Sequence, residues 1–228
     1  MGTKWSWCDR KKSAFYHHTC RHSNLHPTNG QSQDLPLHRT KSMNNIEKTK
    51  RLVSVINAIH SQYSQDYFDT GKVEKINLSR TAVPTEHILR YRLNLHESIN
   101  DYLVKHDLDG ITYYYRVKTS ESILDKIQRY SENADKYPVN NWMNDIFGAR
   151  MILSAEELEQ IIELLDGWQE EFGLKNWYFR DKDDYRGLHV YFKNKSNWLF
   201  PWELRLWDEA DVELNIRTHQ LHKRGFAG

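Results

Sequence analysis

The chain has 228 residues, with 32 Lys+Arg against 31 Asp+Glu, 28% charged residues and a mean hydropathy of −0.82. A formal charge of +1 sets up no overall field for nucleic acid or membrane, and no apolar run reaches the ~18 residues of a membrane span. Two cysteines and the absence of an apolar h-region exclude a disulfide-rich secreted scaffold and predict a cytoplasmic protein.

Residues 1–42 have neither a helical nor a strand period. Seven Lys/Arg against two Asp leave +5 in this stretch, which predicts a disordered basic leader upstream of Met43. Cys8, His17, His18, Cys20, His22 and His26 invite a zinc reading, but a C-x11-C pair has no usual ligand spacing. The regular part, 43–228, is expected to form one domain.

From Asn44 the apolar residues 46, 52, 53, 55, 56 and 59 mark an amphipathic helix, and a second begins at Pro84-Thr85. "TYYYRVK" reads as a strand. Ser120 is the expected N-cap of the helix after it, whose buried stripe is read as Ile123, Leu124 and Ile127. "DIFGARMIL" is a strand, and Ser154 with the acidic residues after it opens a strong helix. "NWYFRDKD", "LHVYFKN" and "WLFPWELRLW" read as three more strands, before a helical tail from Asp208 to about Arg224. The order α-α-β-α-β-α-β-β-β-α predicts an α+β fold, a mixed sheet of about five strands flanked by helices.

Chemistry concentrates in three places. "YYYRVKTSESILDK" puts Arg116 and Lys118 on one strand face, and Ser122 and Lys126 one turn apart on a helix. These groups converge at a helix N-terminus, which favours phosphate; the plain alternative is a solvated charged face. Asp145 starts one strand and Glu203 lies inside another beside Arg205, where a carboxylate is costly unless paired or bound to a cation. Two carboxylates facing a cationic phosphate site suit a Mg²⁺–nucleotide reaction, while simple pairing of Glu203 with Arg205 or Arg150 is the alternative. In "DDYRGLHVYF", an exposed Tyr185 beside Arg186 suits stacking on a base, Gly187 allows close backbone approach, and His189 enters the strand. An ordinary turn with a core-facing tyrosine is the alternative.

The combination resembles the synthetase domain of the RelA/SpoT family, the pyrophosphokinases that make (p)ppGpp. The family's R-x-K-x3-S-x3-K pattern is met by Arg116, Lys118, Ser122 and Lys126. Its D-I-x-G-x-R strand is met by Asp145, Ile146, Gly148 and Arg150, and Y-R-G/S-L-H by Tyr185 to His189. "ELRL" at 203–206 approximates its E-[LIV]-Q-[IVL] strand, so the likeness covers about residues 85–224. It implies a nucleotidyltransferase-like fold and a GTP pyrophosphokinase that moves the β,γ-pyrophosphate of ATP to the 3′-hydroxyl of GTP or GDP, releasing AMP. Arg116, Lys118, Ser122 and Lys126 would hold ATP. Asp145 and Glu203 would bind Mg²⁺, with Glu203 helping to activate the hydroxyl. Tyr185, Arg186, His189 and Arg150 would face the acceptor.

Three departures stand out. Asp184 replaces the usual Gly before the tyrosine, with almost no loop leading into it; Arg205 and Trp207 replace the usual Gln and Arg; and "VELNIRT" offers Glu213 as a rival to Glu203. The short loop favours a toxin-type relative that pyrophosphorylates the tRNA 3′ end or an adenine nucleotide and is neutralised by an antitoxin. A nucleotide-binding regulator without catalysis is the third reading. The resemblance also implies a homo-oligomer of a small, synthetase-only kind, with no membrane partner. The lone His106-Asp107 pair does not supply the hydrolase domain of long members.

Overall fold

A computed structural model describes residues 43–131, 137–193 and 196–224, the side chains of 219–224 excepted. The expected leader and its Cys/His groups lie outside these. Helix α1 (Asn45–Gln65) starts where the sequence demands. Asn44 Oδ1 accepts from the Glu47 N–H at 2.8 Å, and the Glu47 carboxylate accepts from the Asn44 N–H at 3.0 Å. Its Leu52, Val53, Ile56 and Ile59 are fully buried, each removal from water contributing ~1.5–3 kcal/mol. Then follow α2 (Thr85–Leu103), β1 (Tyr114–Val117), α3 (Ser120–Ser131), α4 (Val139–Trp142), β2 (Phe147–Leu153), α5 (Ala155–Glu171), β3 (Leu174–Lys182), β4 (Tyr185–Phe192), β5 (Trp202–Asp208) and α6 (Val212–Arg224). The predicted order is present, with the one-turn α4, a π-helical turn at Asp66–Thr70 and a 3-10 turn at Glu209–Asp211 added.

Two local expectations are corrected. Thr119, not Ser120, caps α3: its Oγ1 accepts the Ser122 N–H at 3.3 Å, and Ser120 is already helical. Leu124 is 46% exposed, and the inward positions of α3 belong to Ile123 and Lys126. A lysine is buried on this helix because a carboxylate waits beneath it.

The strand order is β1-β2-β5-β4-β3. Strands β2 and β5 run parallel, and the other pairs are antiparallel. Alternation divides the sheet into two chemically different faces. Phe147, Ala149 and Met151, Leu204 and Leu206, and Val190 and Phe192 form the apolar face, covered by α1 and α5. The Trp202 indole N–H donates to Asn57 of α1 at 2.8 Å, and Trp168 of α5 meets Phe192. On the opposite face, register brings Arg116, Gly148, Glu203 and Tyr191 into one row, and Tyr114, Arg150, Arg205, His189 and Tyr178 into the next.

The β3–β4 hairpin closes through Asp183 and Asp184, both with positive φ (55° and 59°). A two-residue turn of this hand matches the strand twist, and Asp tolerates it better than most residues. Helix α6 holds the hairpin: Asn215 accepts from the Arg186 N–H at 2.9 Å and donates to its carbonyl at 2.7 Å, while Thr218 donates to the Asp184 carbonyl.

Candidate active site

Two buried carboxylates organise the polar face. Asp145, just before β2, accepts from Lys118 Nζ at 2.7 Å and from Lys126 Nζ at 2.9 Å, one lysine on each oxygen, with an Arg116 nitrogen at 3.6 Å. Lys118 follows β1, and Lys126 descends from α3. The strand-to-helix turn at 118–120 therefore converts sequence neighbours into convergent cations. Burial pushes the Asp145 carboxyl up, but Lys118, Lys126 and Arg116 outweigh it and hold it well below the ordinary carboxylate range. Burial pulls Lys118 down to about 8 despite the pull of Asp145. Ser122 sits in the first turn of α3, where its Oγ meets the Thr119 hydroxyl at 3.1 Å.

Glu203, in the middle of β5, is held by three donors. His189 Nδ1 lies 2.8 Å and the Tyr191 hydroxyl 2.9 Å from Oε1, and Arg205 Nε lies 2.9 Å from Oε2. Burial raises the carboxyl, but Arg205 and His189 hold it far below its usual range. Burial and Arg205 bring His189 down to about 4 against the pull of Glu203, so the imidazole is neutral at pH 7.

Neutrality gives the hydrogen-bond chains a direction. A carboxylate only accepts, so His189 Nδ1 carries the proton and Nε2 accepts from the Tyr185 hydroxyl at 3.0 Å. The Trp207 indole N–H in turn donates to Tyr185 at 3.0 Å. Tyr191 donates to Glu203, which leaves the Tyr178 hydroxyl to donate to Tyr191 at 3.3 Å. Both chains end on Glu203. Arg150 lies with its guanidinium 3.6 Å from the centre of the Trp207 ring, a cation–π contact. Burial and the nearby Arg205 lower both Arg116 and Arg150 to about 9, which leaves them charged at neutral pH.

Five cations (Arg116, Lys118, Lys126, Arg150 and Arg205) thus share one sheet face with two carboxylates. Four of the five are 5% exposed or less, and Arg116 is 14% exposed at its side chain. Buried charge of one sign is costly, and among the described residues these five cations outnumber the two carboxylates set among them, an arrangement suited to a polyanion.

Of the residues expected at the site, Arg116, Lys118, Lys126, Asp145, Arg150, His189 and Glu203 are brought together. Tyr185 is nearby but is 5% exposed, its ring edge against His189 and Trp207, so the expectation of an exposed stacking ring is corrected. Arg186 is not brought in. It occupies an even position of β4, on the other face, and pairs with Asp181 (3.2 Å) and Asp211 (3.7 Å). Gly187 admits the Trp207 indole: a Cβ there would lie 2.9 Å from that ring and 3.0 Å from the Tyr185 hydroxyl. Glu213 is 86% exposed at its side chain and pairs with Arg217 one helical turn on, whereas Glu203 is the one buried among the cations of the polar face. Tyr191 and Tyr178 went unread in the sequence, although the period of two from Gly187 through His189 reaches Tyr191 directly.

No family model and no curated protein matches the sequence. Small alarmone synthetases of known structure are similar to it. Small alarmone synthetase 1 from Bacillus subtilis bound to its product pppGpp shares 20% identity over 64% of this chain and 79% of its own, with a TM-score of 0.36. Small alarmone synthetase 2 from the same organism shares 18% over 63% and 82%, with a TM-score of 0.37. The first enzyme bound to AMPCPP shares 18% over 64% and 82%, at 0.34.

A divalent ion fits the donor set in one way. Among the described residues no group of three or more His, Cys, Asp or Glu side chains could cage a metal. Mg²⁺ instead takes one or two carboxylates and completes its shell with substrate phosphates and water. Each Asp145 oxygen accepts one lysine N–H, so lone pairs remain, and the surrounding cations oppose a bare ion. Asp145 and Glu203 suit an ion that arrives on a polyphosphate.

Proposed function

We propose that the protein is a pyrophosphokinase that transfers the β,γ-pyrophosphate of ATP to the ribose 3′-hydroxyl of GTP or GDP, making (p)ppGpp and releasing AMP. The observation that carries this reading is the buried set of five cations around Asp145 and Glu203, in the order and spacing of the resembling motifs. Arg116, Lys118, Ser122 and Lys126 hold the triphosphate at the head of α3, and Arg150 and Arg205 extend the positive field toward the acceptor. Asp145 and Glu203 are the carboxylates for Mg²⁺, which supplies charge neutralisation on the transferring phosphates. Such chemistry needs alignment and charge neutralisation, not a protein nucleophile. Glu203 accepts three hydrogen bonds and is a weak base, so it orients the reacting groups more than it takes a proton.

A second reading has its own support. The Asp183–Asp184 turn joins β3 to β4 with no loop, which favours an acceptor other than a guanine nucleotide, the tRNA 3′ end or an adenine nucleotide. The test offers GDP, GTP, ATP and deacylated tRNA separately with ATP–Mg²⁺ and measures AMP release, with Asp145→Ala as control. Release with GDP or GTP, lost in the variant, is expected. Release with tRNA or adenine nucleotide alone selects the second reading. No release with any acceptor from folded protein overturns both.

A further inference from the structure

Tyr178 is set apart from the rest of the network by where it stands. It faces His189 across the β3–β4 pair, and the two rings are parallel to within 6° with centroids 5.0 Å apart. One ring face is therefore packed on the imidazole that touches Glu203. The hydroxyl is tied to Tyr191 at 3.3 Å, and yet the residue is 41% exposed. Asn176 and Arg180, two positions either side on the same face, are exposed and half-buried, and the Arg180 guanidinium lies 5.6 Å from the Tyr185 ring. The edge strand thus presents an amide, a flat aromatic ring and a guanidinium in line beside the polyanion site.

We propose that Tyr178 is the platform on which the base of the acceptor nucleotide stacks, with Asn176 and Arg180 flanking that base. The inference rests on the pyrophosphokinase reading and moves the stacking role away from Tyr185. Three features carry it. Tyr185 has its ring buried and its hydroxyl between His189 and Trp207, so it has no free face to offer. Tyr178 is held rigid by His189 beneath and Tyr191 at its tip, so a base meets a ring already in place. And the ring connects to Glu203 through both His189 and Tyr191, which puts a nucleotide stacked there beside the carboxylate row. Phe179, 45% exposed on the opposite face of the same strand, provides an internal control.

The experiment is calorimetric titration of GDP and, separately, ADP into the full chain saturated with a non-hydrolysable ATP analogue and Mg²⁺. Base stacking on an aromatic ring supports roughly tenfold or more in affinity. Tyr178→Ala is expected to weaken acceptor binding by about that factor and leave analogue binding within about twofold, while Tyr178→Phe, which keeps the ring on His189, loses less than Tyr178→Ala, and Phe179→Ala binds as wild type. A ring that merely shields His189 would lower the unfolding midpoint of Tyr178→Ala without changing acceptor affinity, and that result overturns the proposal. Acceptor binding lost equally in Tyr178→Phe would assign the hydroxyl and also overturn it. Failure of the wild type to bind the ATP analogue would sink the pyrophosphokinase reading together with the inference; normal analogue binding with an insensitive Tyr178 sinks the inference alone.

Discussion

Lys126 Nζ lies 2.9 Å from Asp145 Oδ1 and ties the first turns of α3 to the start of β2. Lys118 takes the other oxygen, so one carboxylate holds two lysines in place. Replacing Asp145 by Asn removes the negative charge that pairs with both. Urea unfolding is expected to show a loss of about 3 kcal/mol, the scale of breaking a buried ion pair. Acceptor-dependent AMP release should fall about a hundredfold or more. An unchanged rate would take this carboxylate out of the chemistry.

The excess of buried cations predicts a ligand response that does not depend on turnover. A polyphosphate at about a hundred times its Kd stabilises a protein by ~2.7 kcal/mol, or roughly 5–10 °C in Tm for a chain of this size. ATP or inorganic triphosphate should produce a shift of that order in differential scanning fluorimetry, and Mg²⁺ alone should produce none. A shift with Mg²⁺ alone would mean that Asp145 and Glu203 hold the ion without phosphate.

Acid should destabilise the fold in a window set by its buried imidazoles. His60 and His189 are both lowered from 6.5 to about 4, chiefly by burial. Between those values the unfolded chain binds protons that the folded chain refuses, so their contribution is present above pH 6.5 and lost as pH falls toward 4. At pH 5 each accounts for about 2 kcal/mol. His87 and His96, also lowered, add in the same direction, whereas Asp145 and Glu203 lose their share only at more acid pH. Stability measured at pH 5 and pH 7 should differ less in a His60→Gln, His189→Gln double variant than in wild type. An equal difference in both would remove these two groups from the acid response.

Gly187 is a packing device for Trp207. An alanine Cβ at 2.9 Å from a buried indole forces that ring to move, and with it the contact to Arg150 and the hydrogen bond to Tyr185. Overpacking of this kind costs about 1–3 kcal/mol. Gly187→Ala should lower Tm and alter tryptophan fluorescence; a variant with wild-type stability would show that β4 and β5 yield more than the buried register suggests.

The order of the helices and strands was legible because their signals are local, while the expected starts of β4 and β5 lie three and four residues from the observed ones. Asn44 with Glu47 and Ser154 with Glu157 name helix starts within four residues, and the period-two runs of β2, β4 and β5 separate polar from apolar faces. Asp145 and Glu203 were legible for a related reason: a carboxylate in an apolar strand needs a partner. Leu124 was misread because its periodicity matches Ile123 and Ile127, and only the position of Asp145 shows that the inward place belongs to Lys126. Arg186 and Tyr185 were misplaced because face and burial of a strand residue depend on its register with β5 and on α6 above it.

The sequence by itself determined the elements, the mixed sheet and the presence of a cationic, carboxylate-bearing site, because cap residues, periodicity and the desolvation cost of charge act over a few neighbouring residues. Tertiary structure alone decided which cations share which carboxylate, the neutral state of His189 and the rigid setting of Tyr178. Those depend on burial and on hydrogen-bond partners 13 to 27 residues apart, and no local pattern of the chain encodes them.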